Sequence, residues 1–62
     1  MLQSTQRFNV VDFIIEYESG DLSNDEIITG FQYLIDTGLI RNLQGSYQRM
    51  AQGLINEGYC ST

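Results

Sequence analysis

Apolar residues recur at helical spacing in three stretches of this chain, each closed by a glycine. The clearest is the last: Tyr47, Met50, Ala51, Leu54 and Ile55 follow an i, i+3, i+4, i+7, i+8 pattern. Gln48, Arg49, Gln52, Asn56 and Glu57 fill the opposite side. In the middle stretch, Ile27, Ile28, Phe31, Leu34 and Ile35 form one stripe behind Ser23-Asn24-Asp25-Glu26, which has the S-x-x-E form of a capping box. Leu22 and Ile27 stand in the positions of a hydrophobic staple. Asp25 and Glu26 in the first turn favour the helix dipole. The first stretch predicts a helix from Asn9 as N-cap to about Ser19, with Asp12 at the third position, Phe8 and Phe13 as its staple and Gly20 as its stop. The third helix is expected to start at Ser46 as N-cap, or earlier at Asn42, after a connector from Leu39 to Gly45 that retains some apolar content.

One helix ending occurs twice. Leu34-Ile35-Asp36-Thr37-Gly38-Leu39 reads like Leu54-Ile55-Asn56-Glu57-Gly58-Tyr59. Glycine takes the left-handed conformation that ends many helices without a Cβ clash, and the following residue folds back onto the helix. On this reading Leu39 covers Leu34 and Tyr59 covers Leu54. The resulting fold class is all-α: three short helices in a compact bundle, with residues 1–7 a flexible segment and residues 8–60 a single helical domain.

The first helix departs from the other two. Val10, Val11, Phe13, Ile14, Ile15 and Tyr17 spread over an arc of about 200°, where packing on one core needs nearer 100°. This helix sits between the other two helices on two sides, or it also faces a second chain, which is the preferred reading; otherwise Val11 or Ile15 is simply exposed.

Size sharpens that choice. A chain of 62 residues buries only about 60% of the surface that its unfolded form exposes. A disulfide cannot help, because Cys60 is the single cysteine, and it lies where chain ends usually fray. With no histidine, a structural zinc site would need carboxylates alone. Oligomerisation is the remaining support for so small a domain. The longest apolar run, Phe13-Ile14-Ile15, falls far short of the roughly 20 residues that span a bilayer. The first seven residues are polar and lack the apolar stretch of a signal peptide. The chain is therefore expected to be soluble and intracellular, without a membrane role.

Charge adds a direction. The net charge is −5, lysine is absent, and the bases are Arg7, Arg41 and Arg49. Seven of the eight acids lie between Asp12 and Asp36 with no base among them, so that half carries a negative field. Phosphate-backbone binding draws on Lys and Arg displacing counterions and is disfavoured here. An acidic face suits a basic protein surface, or serves solubility alone.

Candidate chemistry is thin. Asp21-Leu22-Ser23-Asn24-Asp25 places oxygens like a calcium loop, but Glu26 and Gln32 stand where an EF-hand needs glycine and a bidentate glutamate. A turn with an N-cap accounts for these residues. No nucleophile–base pair of the usual types can be assembled, and so short a chain leaves little room for a pocket of roughly 300 Å³ or more. No enzyme activity and no cofactor are expected. Gly45-Ser46, with Arg41 before it and Arg49 one turn in, suits an anion or ordinary capping. Leu39-Ile40-Arg41 followed by Gly45-Ser46-Tyr47 is similar to the stretch leading into the wing of winged-helix proteins. The second helix, however, offers no Arg or Lys to bases or phosphates. Tyr33 lies off the main stripe, at the edge of the core or at an interface.

From Phe13 to Cys60 the chain resembles a family of very small bacteriophage proteins of uncharacterised function, including cyanophage-like members. The likeness is carried by Asp12-Phe13-Ile14-Ile15-Glu16-Tyr17-Glu18-Ser19-Gly20-Asp21-Leu22-Ser23 and by Gly30-Phe31-Gln32-Tyr33-Leu34-Ile35-Asp36-Thr37-Gly38-Leu39. Leu43-Gln44-Gly45-Ser46-Tyr47, Arg49, Ala51 and the Leu54-Ile55 to Gly58-Tyr59 ending complete it. Such proteins typically carry Gly-Arg-Thr after the tyrosine, where this chain has Gln48-Arg49-Met50. The resemblance implies a viral origin and action in the cytoplasm of a bacterial or cyanobacterial host, and brings no site residues. The expected function is a non-enzymatic accessory protein that binds a host or phage protein, self-associates through the first helix, and uses Glu16, Asp25, Tyr33, Arg41, Gln44, Tyr47 and Arg49 as contact residues. A winged-helix-like regulator and a minor virion component are the alternatives.

Overall fold

The computed structural model describes residues 9–62. The expected tail over residues 1–7 and the Phe8 half of the first staple lie outside them. Three helices run in order: α1, Val10–Ser19; α2, Asn24–Thr37; and α3, Gly45–Asn56, with a 3-10 turn at Leu39–Asn42 between the last two. There is no strand among the described residues. The stretch similar to a wing forms the 3-10 turn and the start of α3 instead.

Local chemistry sets the helix starts. The Asn9 side chain accepts from the Asp12 N–H at 3.1 Å. At α2 the capping box is complete: the Glu26 N–H donates to Ser23 Oγ at 3.2 Å, and the Ser23 N–H donates to Glu26 Oε1 at 2.8 Å. Helix α3 starts between the two expected points, Asn42 and Ser46. Its N-cap is Gln44, not Ser46, because the N–H groups of Tyr47 and Gln48 both reach the Gln44 carbonyl. No side chain caps this end. Gln48 turns back instead and donates to the carbonyls of Leu43 (3.1 Å) and Arg41 (3.3 Å), which ties the 3-10 turn to α3.

The repeated ending resolves into two different structures. Gly38 and Gly58 both have positive φ, 81° and 86°. After α3, the Tyr59 N–H bonds the Leu54 carbonyl at 2.9 Å and the Gly58 N–H bonds that of Ile55 at 3.1 Å, a complete Schellman closure. After α2, only the Gly38 bond to Ile35 forms, and the Leu39 N–H turns to Thr37 Oγ1. The chain then tightens into the 3-10 turn. Neither expected cover is made as drawn, since Tyr59 is 61% exposed and Leu39 36%. Ile40 packs on the core in place of Leu39. Cys60 does so in place of Tyr59, because its own N–H also bonds the Leu54 carbonyl, at 3.1 Å, and rolls its side chain inward.

The core is an aromatic cluster drawn from all three helices. Phe13 meets Phe31 edge-on at 5.6 Å, Tyr17 meets Phe31 at 5.4 Å and Tyr47 at 5.4 Å, and Phe31 stacks on Tyr47 at 6.1 Å. Phe31 and Leu34 are fully buried, each burial being worth about 1.5–3 kcal/mol. Gly30 permits the α1–α2 approach: a Cβ there would fall 2.1 Å from Phe13 Cε1. The C-terminus is fastened rather than frayed. The Gln32 amide accepts from the Ser61 N–H at 2.9 Å and donates to the Ser61 carbonyl at 2.8 Å. Cys60 is buried beneath this clasp, with Sγ 3.6 Å from the Ile28 carbonyl.

Candidate functional site

Two surfaces stand out, and they differ in charge. The first is the outer side of α1. Phe13, Tyr17, Val10 and Ile14 fall within an arc of about 100° and pack on the core. That leaves Val11 and Ile15 on the far side, 64% and 57% exposed. They stand one helical turn apart and make a short apolar ridge. Helical geometry puts Asp12 and Glu16 along one flank and Glu18 along the other, all three exposed. The broad apolar arc of the first helix is thus a core stripe plus this ridge.

The second surface is a groove of about 480 Å³ between α2, the 3-10 turn and α3. Its floor is Ile35, Ile40, Ala51 and Ile55; its rim is Asp36, Arg41, Gln48, Gln52 and Thr62. Chain length alone suggests little room for such a space. Gly38 turns the chain into the 3-10 segment, which brings Ile40 and Arg41 to the wall of the groove. The apolar content of the Leu39–Gly45 connector was the only signal of it in the sequence.

Of the expected contact residues, only Glu16 and Arg41 fall on these surfaces. Glu16 lies on the α1 flank, and Asp25 is exposed in the first turn of α2. Arg41 is on the groove rim. Gln44 and Arg49 are exposed beside the start of α3, where an Arg49 guanidinium nitrogen would lie 3.4 Å from a Cβ on Gly45. Neither Arg41 nor Arg49 is paired with a carboxylate among the described residues. Tyr33 is 38% exposed at the margin of α2. Tyr47 is the correction. It is 5% exposed, and its hydroxyl donates to Glu18 Oε2 at 2.7 Å, so it joins α3 to α1 and offers nothing to a partner. Its place on the apolar stripe of α3 prevails over its use as a contact.

Two groups titrate away from their ordinary values. Burial pushes the Tyr47 phenol up to about 12, and the hydrogen bond to the Glu18 carboxylate and its charge add to the shift. Burial also raises the Cys60 thiol, with the Asp36 charge acting in the same direction. Both shifts hold the group in its neutral, unreactive form at neutral pH. The oxygens of Asp21–Asp25 are placed for a turn, and Ser23 is committed to its cap. No helix among the described residues is long and apolar enough to cross a membrane.

A family model described as a domain of unknown function (DUF7417) matches residues 5–62. Neither a curated protein nor a solved structure matches the chain.

Proposed function

We propose, for a chain that belongs to the DUF7417 domain family, a non-enzymatic role as a protein-interaction module whose principal contact is the outer side of α1. The observation that carries this reading is the Val11–Ile15 ridge. Single exposed aliphatics are ordinary on any protein. Here two are aligned on one turn of a helix that the core already holds from behind, and carboxylates flank them. That combination suits a partner surface with an apolar centre and basic edges: burial supplies affinity, and charge supplies orientation and encounter rate. DNA is a poor fit, since the described positive side chains, Arg41 and Arg49, both lie outside α2. The phage-like sequence pattern supports action on a protein of a bacterial host, in its cytoplasm.

The test is capture from nuclease-treated host lysate with N-terminally tagged protein, because a C-terminal tag would load the Gln32–Ser61 clasp. Wild type should recover a stoichiometric partner, and Val11→Ser/Ile15→Ser and Glu16→Arg should lose it. Equal recovery by wild type and by both variants would remove α1 as the contact.

A further inference from the structure

We infer that the groove between α2, the 3-10 turn and α3 receives the α1 ridge of a second copy, so that the chain self-associates through two unlike surfaces. This rests on the reading of α1 as a contact surface and names one occupant for it. Charge makes the selection. Between α1 and residue 36, every charged side chain is acidic. Pairing α1 with α1 would set Asp12, Glu16 and Glu18 against their own copies, and pairing α1 with the start of α2 would add Asp25 and Glu26. Like charges set against one another across an interface oppose it. Among the described residues the bases are Arg41 and Arg49, and of these Arg41 lines the groove. Arg41, with no carboxylate partner among those residues, stands on its rim beside Ile40.

Shape agrees with charge. The floor of Ile35, Ile40, Ala51 and Ile55 is apolar, and about 480 Å³ accommodates the two aliphatic side chains of the ridge. No α1 residue lines the groove, so a molecule can present its own ridge to one copy and its own groove to another. Asp36 is the acidic side chain of the lining. The incoming Glu16 carboxylate therefore belongs at the Arg41 edge. Asp36 already accepts from the Gln32 amide at 2.9 Å, and it limits the strength of the contact.

Sedimentation velocity on the full chain over a rising concentration series, to about 1 mM, tests this. Wild type should show a mass that rises with concentration. Arg41→Glu and Val11→Ser/Ile15→Ser, each checked for wild-type helicity, should remain monomeric, and Asp36→Asn should associate at lower concentration. The decisive arm mixes Arg41→Glu with Glu16→Arg. In each chain alone the ridge and groove carry like charge; in the mixture they are opposite, and association should return. A monomeric wild type throughout overturns the inference, as does association that survives Arg41→Glu. Lysate capture that needs the ridge while the protein stays monomeric would overturn this inference and leave the reading of α1 in place. Ridge variants that change neither mass nor capture would overturn both.

Discussion

Gly30 and Gly53 are both glycines inside helices, and the structure predicts opposite effects for the same substitution. A Cβ on Gly30 would lie 2.1 Å from Phe13 Cε1 and 2.6 Å from Cδ1 and Cζ. The Phe13 ring cannot simply retreat, because Tyr17 stacks on it at 6.0 Å and Phe31 meets it edge-on at 5.6 Å. Gly30→Ala must therefore push α1 off α2 or force the ring from its rotamer. Overpacking of this kind costs about 1–3 kcal/mol, somewhat more when several atoms collide, while alanine returns up to about 1 kcal/mol of helix propensity. The expected net loss is about 1–2 kcal/mol. Native stability runs at roughly 0.05–0.15 kcal/mol per residue, so this is a substantial share of the total for so small a chain. Gly53 in α3 has nothing within 4 Å of its Cβ position, and Gly53→Ala should gain about 0.5–1 kcal/mol. Urea unfolding followed by far-ultraviolet circular dichroism measures both. The shift in melting temperature should be about 4–8 °C per kcal/mol for a domain of this size. Phe13→Leu combined with Gly30→Ala should cost less than the two single changes summed, because the smaller side chain makes room. If Gly30→Ala is as stable as Gly53→Ala, Phe13 does not sit on the α2 backbone and the packing argument fails.

Three further outcomes rest on the same packing. The unfolded chain releases the Tyr47 proton near its ordinary 10.0 and the folded chain near 12, so the stabilisation is fully present below pH 10 and is lost as pH rises to about 12. That loss is about 2–3 kcal/mol, and Tyr47→Phe should remove most of it in an alkaline denaturation series run on a Cys60→Ser background, which eliminates the thiol's contribution of the same sign. Gln32→Ala releases both bonds to Ser61, and the Cys60 thiol should then react with an aromatic disulfide reagent at least several-fold faster at pH 8; an unchanged rate would show that the clasp does not protect it. Ser23→Ala removes the α2 cap and should cost about 1 kcal/mol, readable as a lower urea midpoint with an unchanged slope.

The features of this protein that depend on near neighbours in the chain can be read from its residues alone. Asn9, the Ser23–Glu26 box, and the glycines at 20, 38 and 58 act within four or five residues, so the starts of α1 and α2 and the turns were legible. The core stripes of α2 and α3 were legible too, because periodicity reports which face is covered whatever covers it. Features that depend on contacts between distant segments emerge only in the folded chain. Gln48 reaching back to Arg41 and Leu43 accompanies the start of α3 at Gly45, and no local pattern marks it. Position alone suggests that Cys60 frays, but Gln32 clasps Ser61, 29 residues away, and holds the segment in place. Tyr47 stands on the apolar stripe of α3, and its packing on Tyr17 and Phe31 with a hydrogen bond to Glu18 decides for burial over contact. The two Gly-ended repeats look alike in one dimension and differ in space because the segments after them differ: a 3-10 turn that opens a groove, and a tail that seals the core.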